Sequence, residues 1–512
     1  MYLICTASKD SYITDKIIAN AYRVKDANLG HASTIDLFKL YNESKISGST
    51  EPAEISRGLI KFDLQQLYDL TSSILDTTHS SFKCALEMSD VLGGSATPTN
   101  FTLMVFPLSK DWDEGFGKDV ISFDDLDACN FVTRSYSNGS ANIWYTSGAN
   151  KEGLLGSNDI DIISSGNLND GTGIQNLWVS QKFVDGNENA SIDVTKIVSA
   201  TLAGLLPHKG FRLSFTGSEE TDNKTRFVKR LASRHVGDRS IRPKLTVSWD
   251  DSLVDNHQNF FFNLSGSLFL SNYHRGLATN IASGSALSSV SGNDCLKLEL
   301  VTGSYKKVVT VSQHKIGSNF VSGVYSASFA IDSFGSSLVN STDRLSDFIR
   351  KSGSVTFEEY WKSFDLTVGF YTGSVKFNRI DPLAFDQTSR SLDFSVTNLR
   401  KSYNKDDKIK LRVFARDFQK ESKAFKKRRK LSSIILEEVY YQIRDVLSGE
   451  KIIPFTKDNN GTRLSTDTAG MYFEVFMKTL RPGRMYTIDL LVVDRDITFT
   501  ERSVGESFKV RS

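Results

Sequence analysis

The chain has 512 residues, 39% hydrophobic and 24% charged, with a formal net charge of +2. That length divides into two to four domains, and that composition builds ordinary cores and excludes general disorder. A charge so near balance disfavours general nucleic-acid binding. The 35 Gly, 34 Phe and 17 Tyr, with abundant Ser and Thr, favour strands and turns. The four cysteines Cys5, Cys84, Cys129 and Cys295 have no CxxC pairing and no His at metal spacing, so free thiols are expected rather than a disulfide framework. No apolar run reaches membrane-spanning length. The first residues lack the basic region and apolar run of a signal peptide, which leads to an expectation of cytoplasmic synthesis.

From residue 1 to 250, short alternating runs recur between Gly, Asn, Asp and Ser. Ser56-Arg57-Gly58-Leu59-Ile60-Lys61-Phe62-Asp63-Leu64 is an apolar strand with charged ends. Phe82–Met88, Phe101–Phe106, Gly210–Phe215 and Lys244–Trp249 alternate with period two, the pattern of an antiparallel sandwich. Short helices are expected at 64–70 and 193–203, the second with Asp193 as its N-cap. Arg57 and Asp63 flank a buried strand, and a buried charge needs a partner. Structural pairing is the preferred reading, ahead of lining a ligand surface. Gly30 and Gly58 are read as points of close backbone approach or positive φ. Trp112, Trp144 and Trp178 are the candidates for stacking on a sugar ring, against a competing role in the core.

The order of motifs in this region resembles the DNRLRE-type β-sandwich module. The residues that carry the resemblance are Asp10-Ser11-Tyr12-Ile13, Asn28-Leu29-Gly30, Arg57-Gly58-Leu59-Ile60-Lys61-Phe62-Asp63-Leu64 and Trp112-Asp113-Glu114-Gly115. Asp193-Val194-Thr195, Leu231-Ala232-Ser233-Arg234 and Arg242-Pro243-Lys244-Leu245 complete the set. Ser11 replaces a usual Thr and Leu231 a usual Phe, and 124–181 is rich in insertions. The resemblance implies a carbohydrate-binding-like or adhesive module of surface and phage virion proteins, and it does not imply catalysis.

From 251 to 380 a second β domain is expected. It opens at Asn259–Leu270 and continues through Ser322–Ile331 and Leu366–Val375, with Ser-Gly steps as turns. Residues 343–351 and 355–363 are read as small helical or loop insertions. His257, His274 and His314 are scattered at no metal-binding spacing. From 381 to 512 the alternation of Lys408–Phe414, a hairpin of Val439–Asp445 with Lys451–Phe455, and Leu480-Arg481-Pro482-Gly483 before Tyr486 resemble an immunoglobulin- or fibronectin-like sandwich. Tyr486 would then act as a tyrosine corner. Here 26 Lys and Arg stand against 19 Asp and Glu, so the region is about +7 and the rest of the chain about −5. The excess is concentrated at Lys420–Lys430, where Lys426, Lys427, Arg428 and Arg429 are candidate interface residues for an acidic neighbour, weighed against a solvated face.

The chain holds no Gly-x-x-x-x-Gly-Lys-Ser/Thr, Gly-x-Ser-x-Gly or His-Glu-x-x-His motif. The reading is therefore non-enzymatic, without cofactor or resident metal. Asp124-Asp125-Leu126-Asp127 and Asn158-Asp159-Ile160-Asp161 offer hard oxygens for Ca²⁺, but turn capping in a polar loop is preferred. The expected whole is an all-β, multi-domain chain of antiparallel β-sandwiches with a few short helices. The expected role is a structural virion protein of a tailed bacteriophage, in its neck, tail, baseplate or fibre anchor. Its expected partners are other virion proteins in a symmetric assembly, with no membrane and nucleic acid disfavoured. The alternative is a carbohydrate-binding adhesin or receptor-binding module that meets a surface glycan, and a third reading is a glycan-cleaving enzyme using paired carboxylates.

Overall fold

The computed structural model describes the chain except residues 49–50, 73, 92–98, 285, 381–391, 418–432 and 495–497, and except the side chains of 227, 228, 494 and 498–502. The basic run at 420–430 and the expected boundary at Asp381-Pro382 therefore lie outside the described residues. The fold is all-β. Among the described residues helix is confined to four short α segments and one 3-10 turn, and no helix is long and apolar enough to cross a membrane.

The chain divides into two compact units. The first comprises Leu3–Thr71 and Phe82–Val247. Its strand path runs Val179–Phe183, Phe101–Pro107, Phe211–Phe215, Ala53–Phe62, Tyr2–Thr14, Lys244–Ser248, Lys83–Met88 and Ala190–Asp193. Thr34–Tyr41 branches from Ala53–Phe62 and pairs with Arg226–Ala232. The two long strands are central and buried on both faces: the consecutive Leu59 and Ile60, with Phe62 and Ile13, are all at most 1% exposed. The helix Gln65–Thr71 follows directly, with Asp63 Oδ1 accepting the amide of Gln65 at 3.0 Å. The second helix, Thr195–Leu202, starts later than expected, with Val194 rather than Asp193 at its N-cap. Asp193 ends a strand instead, and its Oδ1 accepts the Thr195 amide at 2.9 Å.

The second unit comprises Met1–Tyr2, Ser72–Ser81 and Ser248–Ser512. One seven-stranded sheet runs Phe260–Phe261, Gly369–Asn378, Ser354–Ser363, Leu296–Thr302, Tyr305–Ile316, Asn319–Phe329 and Gly266–Ser271. Its core is aromatic: Phe260, Phe262, Phe357, Phe377, Tyr325 and Trp361 are each at most 2% exposed. The helix expected near 343–351 is Leu345–Ser352, closed by Gly353 in the left-handed region at φ +68. Residues 355–363, expected as helix or loop, instead form a strand paired on both sides. Val355, Phe357, Glu359 and Trp361 alternate onto the core face, and the adjacent polar residues Glu358, Glu359 and Tyr360 obscured that period in the sequence.

Further along, two sheets form a β-sandwich. One runs Leu392–Val396, Lys408–Asp417, Gly470–Phe476 and Ser465–Asp467; the other runs Ser402–Asn404, Thr498–Arg511, Met485–Asp494, Glu438–Asp445 and Lys451–Ile453. Tyr441 and Phe473 stack at 4.3 Å between them. The hairpin across Ser448-Gly449 pairs Ile443 with Ile453, as the sequence led one to expect.

Candidate functional site

Four of the motifs meet at one place in the first unit. Asp10 projects from the Tyr2–Thr14 strand and is 1% exposed. Its backbone amide donates to Glu114 Oε1 at 2.8 Å, and its Oδ2 accepts the backbone amide of Arg234. The Arg234 guanidinium grips Glu114 with both arms, Nε to Oε1 at 2.7 Å and Nη2 to Oε2 at 2.8 Å. Such bidentate pairs are the strong ones. His235 Nε2 stands 3.3 Å from the same Oε1, and its ring lies against His31 at 4.2 Å.

Asn28 sews the loops together beneath this pair. Its amide nitrogen donates to the carbonyls of Glu114 and Cys129 at 2.8 and 2.7 Å, and its Oδ1 accepts the amides of Gly30 and Gly117. A Cβ on Gly30 would stand 2.0 Å from the Glu114 carbonyl oxygen, so the motif glycine is required by a backbone-on-backbone approach. Gly115 adds a positive φ of +78 within the same turn.

Burial raises the Asp10 carboxyl to about 7; the Arg234 amide bond opposes this, and the charge of Glu114 adds to it. Its Oδ1 has no hydrogen-bond partner. Burial also lowers the His235 pKa. Asp10, Glu114 and His235 bring one ligand-type atom each within 4.8 Å of one another. Arg234 already occupies both oxygens of Glu114, and Arg242 adds a second positive charge acting on Asp10. A dication here would meet cations rather than free anionic charge, so the arrangement works chemically as a clasp between the first strand and the loops at 28–30, 112–117 and 233–235.

The other motif arginine has its own partner. Arg57, 3% exposed, pairs with Glu220 through Nε–Oε1 at 3.0 Å and Nη2–Oε2 at 2.6 Å, and its Nη1 donates to the Gly148 carbonyl at 2.7 Å. Structural pairing thus accounts for Arg57, with Glu220 and not Asp63 as partner. Arg212 lies beside it, and burial lowers its pKa to about 9 with Arg57 repulsion second. Its guanidinium donates to the Ala149 carbonyl and packs 4.8 Å from the Phe106 ring centroid. Both arginines tie the 124–181 insertion to the sheet. Lys39 and Lys229 are also fully buried and paired, with Asp222 at 2.7 Å and Asp90 at 2.6 Å.

The three candidate tryptophans separate. Trp112 and Trp144 are 0% and 2% exposed, and their indole N–H groups donate to the carbonyls of Lys209 and Asn130. Neither presents a ring face to a sugar, because both faces are covered by core atoms. Trp178 is 36% exposed. Of the two Asp-rich stretches, Asp161 is fully buried and its oxygens accept the amides of Tyr145, Thr146 and Lys151 at 2.7–3.0 Å, which is loop capping. Asp125 Oδ2 likewise accepts the Phe116 amide. Lys426, Lys427, Arg428 and Arg429 lie outside the described residues. Sequence reasoning passed over Glu220, whose only signal was its acidic character far down the chain, and His235, whose signal was its place directly after Arg234.

No protein-family model matches the chain, and no curated protein does. Solved structures match weakly. An endo-fucoidan hydrolase of glycoside hydrolase family 107 is 12% identical over 52% of this chain, with a TM-score of 0.14, and the match spans only 34% of the hydrolase. The N-terminal Ig1-2 module of the Drosophila receptor protein tyrosine phosphatase DLAR is 7% identical, covering 52% of this chain and 95% of that one, with a TM-score of 0.14. A Ca²⁺-stabilized adhesin with which an Antarctic bacterium binds ice is 10% identical, covering 99% and 100%, again with a TM-score of 0.14. Scores this low carry no argument about what the chain does.

Proposed function

We propose that the chain is a structural virion protein of a tailed bacteriophage, acting through protein–protein contacts, with a DNRLRE-like β-sandwich in its first 250 residues. One observation supports this most. Four motifs that are individually weak and lie scattered between residues 10 and 234 converge on one clasp, Asp10, Asn28–Gly30, Glu114–Gly115 and Arg234. Such convergence in space is what a shared module would require. The charges of these motifs are spent on one another, which suits a rigid building block. The C-terminal sandwich is read as immunoglobulin-like. Tyr486, fully buried, donates to the Arg481 carbonyl at 2.9 Å and accepts the Arg481 amide at 2.8 Å, as a tyrosine corner would. Mass spectrometry of purified phage particles tests the proposal: the chain should be present at a stoichiometry fitting a symmetric fixture, and its absence from particles overturns the reading.

A second reading, a glycan-binding adhesin, is favoured by one feature. The 124–181 insertion leaves Trp178 and Tyr145 36% and 59% exposed, and exposed aromatic faces are the stacking surface of sugar sites. A glycan array with the full chain and its Trp178→Ala variant decides this: loss of a specific glycan signal in the variant supports it, and no signal in either excludes it.

A further inference from the structure

Glu359 is the most isolated charge-bearing group among the described residues. It sits on the core face of the Ser354–Ser363 strand between Phe357 and Trp361, is 0% exposed, and neither of its oxygens has a hydrogen-bond partner. The residue opposite it on the neighbouring strand is Gly373. A Cβ at that position would stand 2.5 Å from Glu359 Oε1 and 2.9 Å from the Tyr371 hydroxyl, so the carboxylate packs directly against the glycine backbone.

The imidazole of His257 fills the gap between two acids. Its Nε2 is 3.6 Å from Glu359 Oε1 and donates to the Ser374 carbonyl oxygen at 3.1 Å, a proton that a bound metal would displace. Its Nδ1 is buried without a hydrogen-bond partner, and Asp255 Oδ1 is 4.0 Å away. Asp255, 3% exposed, is held in place: its amide donates to Thr466 Oγ1 at 2.8 Å, its carbonyl accepts from the same hydroxyl, and its Oδ1 accepts the His257 amide at 2.8 Å.

The charge balance sets this cluster apart. Several buried ions elsewhere in the chain have counter-ions, as Arg57 has Glu220, Lys229 has Asp90, and Glu299 has Lys306 and Lys362. The charged neighbour acting on Glu359 is another acid, Asp255, and the one acting on Asp255 is a third, Asp467.

We propose that His257 Nε2 and Glu359, beside the Ser374 carbonyl, bind one transition-metal dication of the zinc type, with Asp255 orienting the imidazole. Two ligand atoms at ~2.0–2.1 Å from a tetrahedral ion are about 3.4 Å apart, close to the 3.6 Å observed between Nε2 and Oε1. Metal on Nε2 places the ring proton on Nδ1, facing Asp255, in the carboxylate–histidine–metal order that fixes such ligands. One ion thus gives a partner to the unmatched Glu359 oxygens and offsets the negative charge of the cluster. The imidazole selects zinc, cobalt, nickel or copper over calcium and magnesium. The His257 side chain retains 13% exposure and Tyr371 beside the site 43%.

The test uses the full chain, stripped with a chelator and titrated with zinc by calorimetry and thermal shift. Cobalt serves as a second probe, because its visible absorption reports nitrogen and oxygen ligation. Wild type should bind one equivalent above any background shared with the variants, and its Tm should rise. Glu359→Gln has the same shape and keeps the fold, which circular dichroism verifies; it should lose that equivalent and the cobalt bands. His257→Phe should do the same, and Asp255→Asn should keep the site with roughly 10–100-fold weaker affinity. Identical zinc isotherms and Tm values for wild type and Glu359→Gln would overturn the proposal and leave Glu359 a buried proton carrier only.

Discussion

Asp10→Asn is the sharpest probe of the clasp. Burial holds the Asp10 carboxyl at about 7 against an ordinary 3.8. A separation of roughly three units, at ~1.4 kcal/mol each, is about 4 kcal/mol. The sign follows from which state holds the proton. Below about pH 4 both folded and unfolded chains keep it, and there is no penalty. Between about pH 4 and 7 the unfolded chain releases its proton while the folded chain retains it, so stability falls as pH rises. Above about pH 7 the penalty is complete. Asparagine preserves an oxygen for the Arg234 amide and never ionises. The variant should therefore match wild type near pH 4 and exceed it by ~3–4 kcal/mol near pH 8. Urea unfolding of both full chains at several pH values, followed by tryptophan fluorescence, measures the gap, since Trp112 and Trp144 are buried in the same unit. A gap that does not change with pH, or a variant less stable than wild type near pH 8, would refute the assignment of a neutral buried carboxyl.

Four further outcomes are expected. Glu220→Gln strips half of the Arg57 pair inside the first unit and should destabilise it by ~3–5 kcal/mol in chemical denaturation. Phe62→Ala, at a site 1% exposed, should cost about 3–5 kcal/mol by the same assay, and a cost under ~1 kcal/mol would mean the ring is not core. Tyr486→Phe removes both bonds to Arg481 and should lower the stability of the second unit by ~1–3 kcal/mol, read as a Tm shift without loss of secondary structure. Reversing the charges of Lys426, Lys427, Arg428 and Arg429 should weaken assembly in a salt-dependent way while the fold stays intact, because rim charges govern encounter more than core stability; unchanged incorporation into particles would identify a solvated face.

The fold class was legible because period-two alternation survives in most strands. Lys408–Phe414 and Lys244–Ser248 read directly, as did the hairpin across Ser448-Gly449. Alternation failed where polar residues occupy core positions. Glu359 breaks the apolar rhythm of Val355, Phe357 and Trp361, so the stretch reads as helix or loop rather than strand. The clasp was legible as motifs and hidden as geometry: Asp10, Asn28, Glu114 and Arg234 could each be picked out, but nothing local says that a guanidinium more than a hundred positions onward closes on Glu114. The tryptophans show the reverse limit. Residue type gives Trp112, Trp144 and Trp178 the same stacking potential, and burial, a property of the whole fold, removes two of them. His257 and Glu359 form no spacing pattern at all, because the sheet brings them together.

Asp10 and Glu359 make the same point from two sides. Both are fully buried carboxyls whose pKa is raised to about 7, with desolvation as the leading cause in each. Burial alone would give them the same chemistry. What differs is the next shell of charge. Around Asp10 stand Arg234 and Arg242, and the nearest acid, Glu114, is already gripped by a guanidinium. Around Glu359 stand an acid and a neutral imidazole. A divalent ion added to the first site is repelled by cations that no loop need move to supply. Added to the second, it is the only cation in contact with either carboxylate. The cluster with three ligand-type side chains is therefore the poorer metal site, and the one with two, backed by Asp255 and a carbonyl, the better. Ligand count proposes a site; the sign of the surrounding charge decides whether an ion gains by entering it.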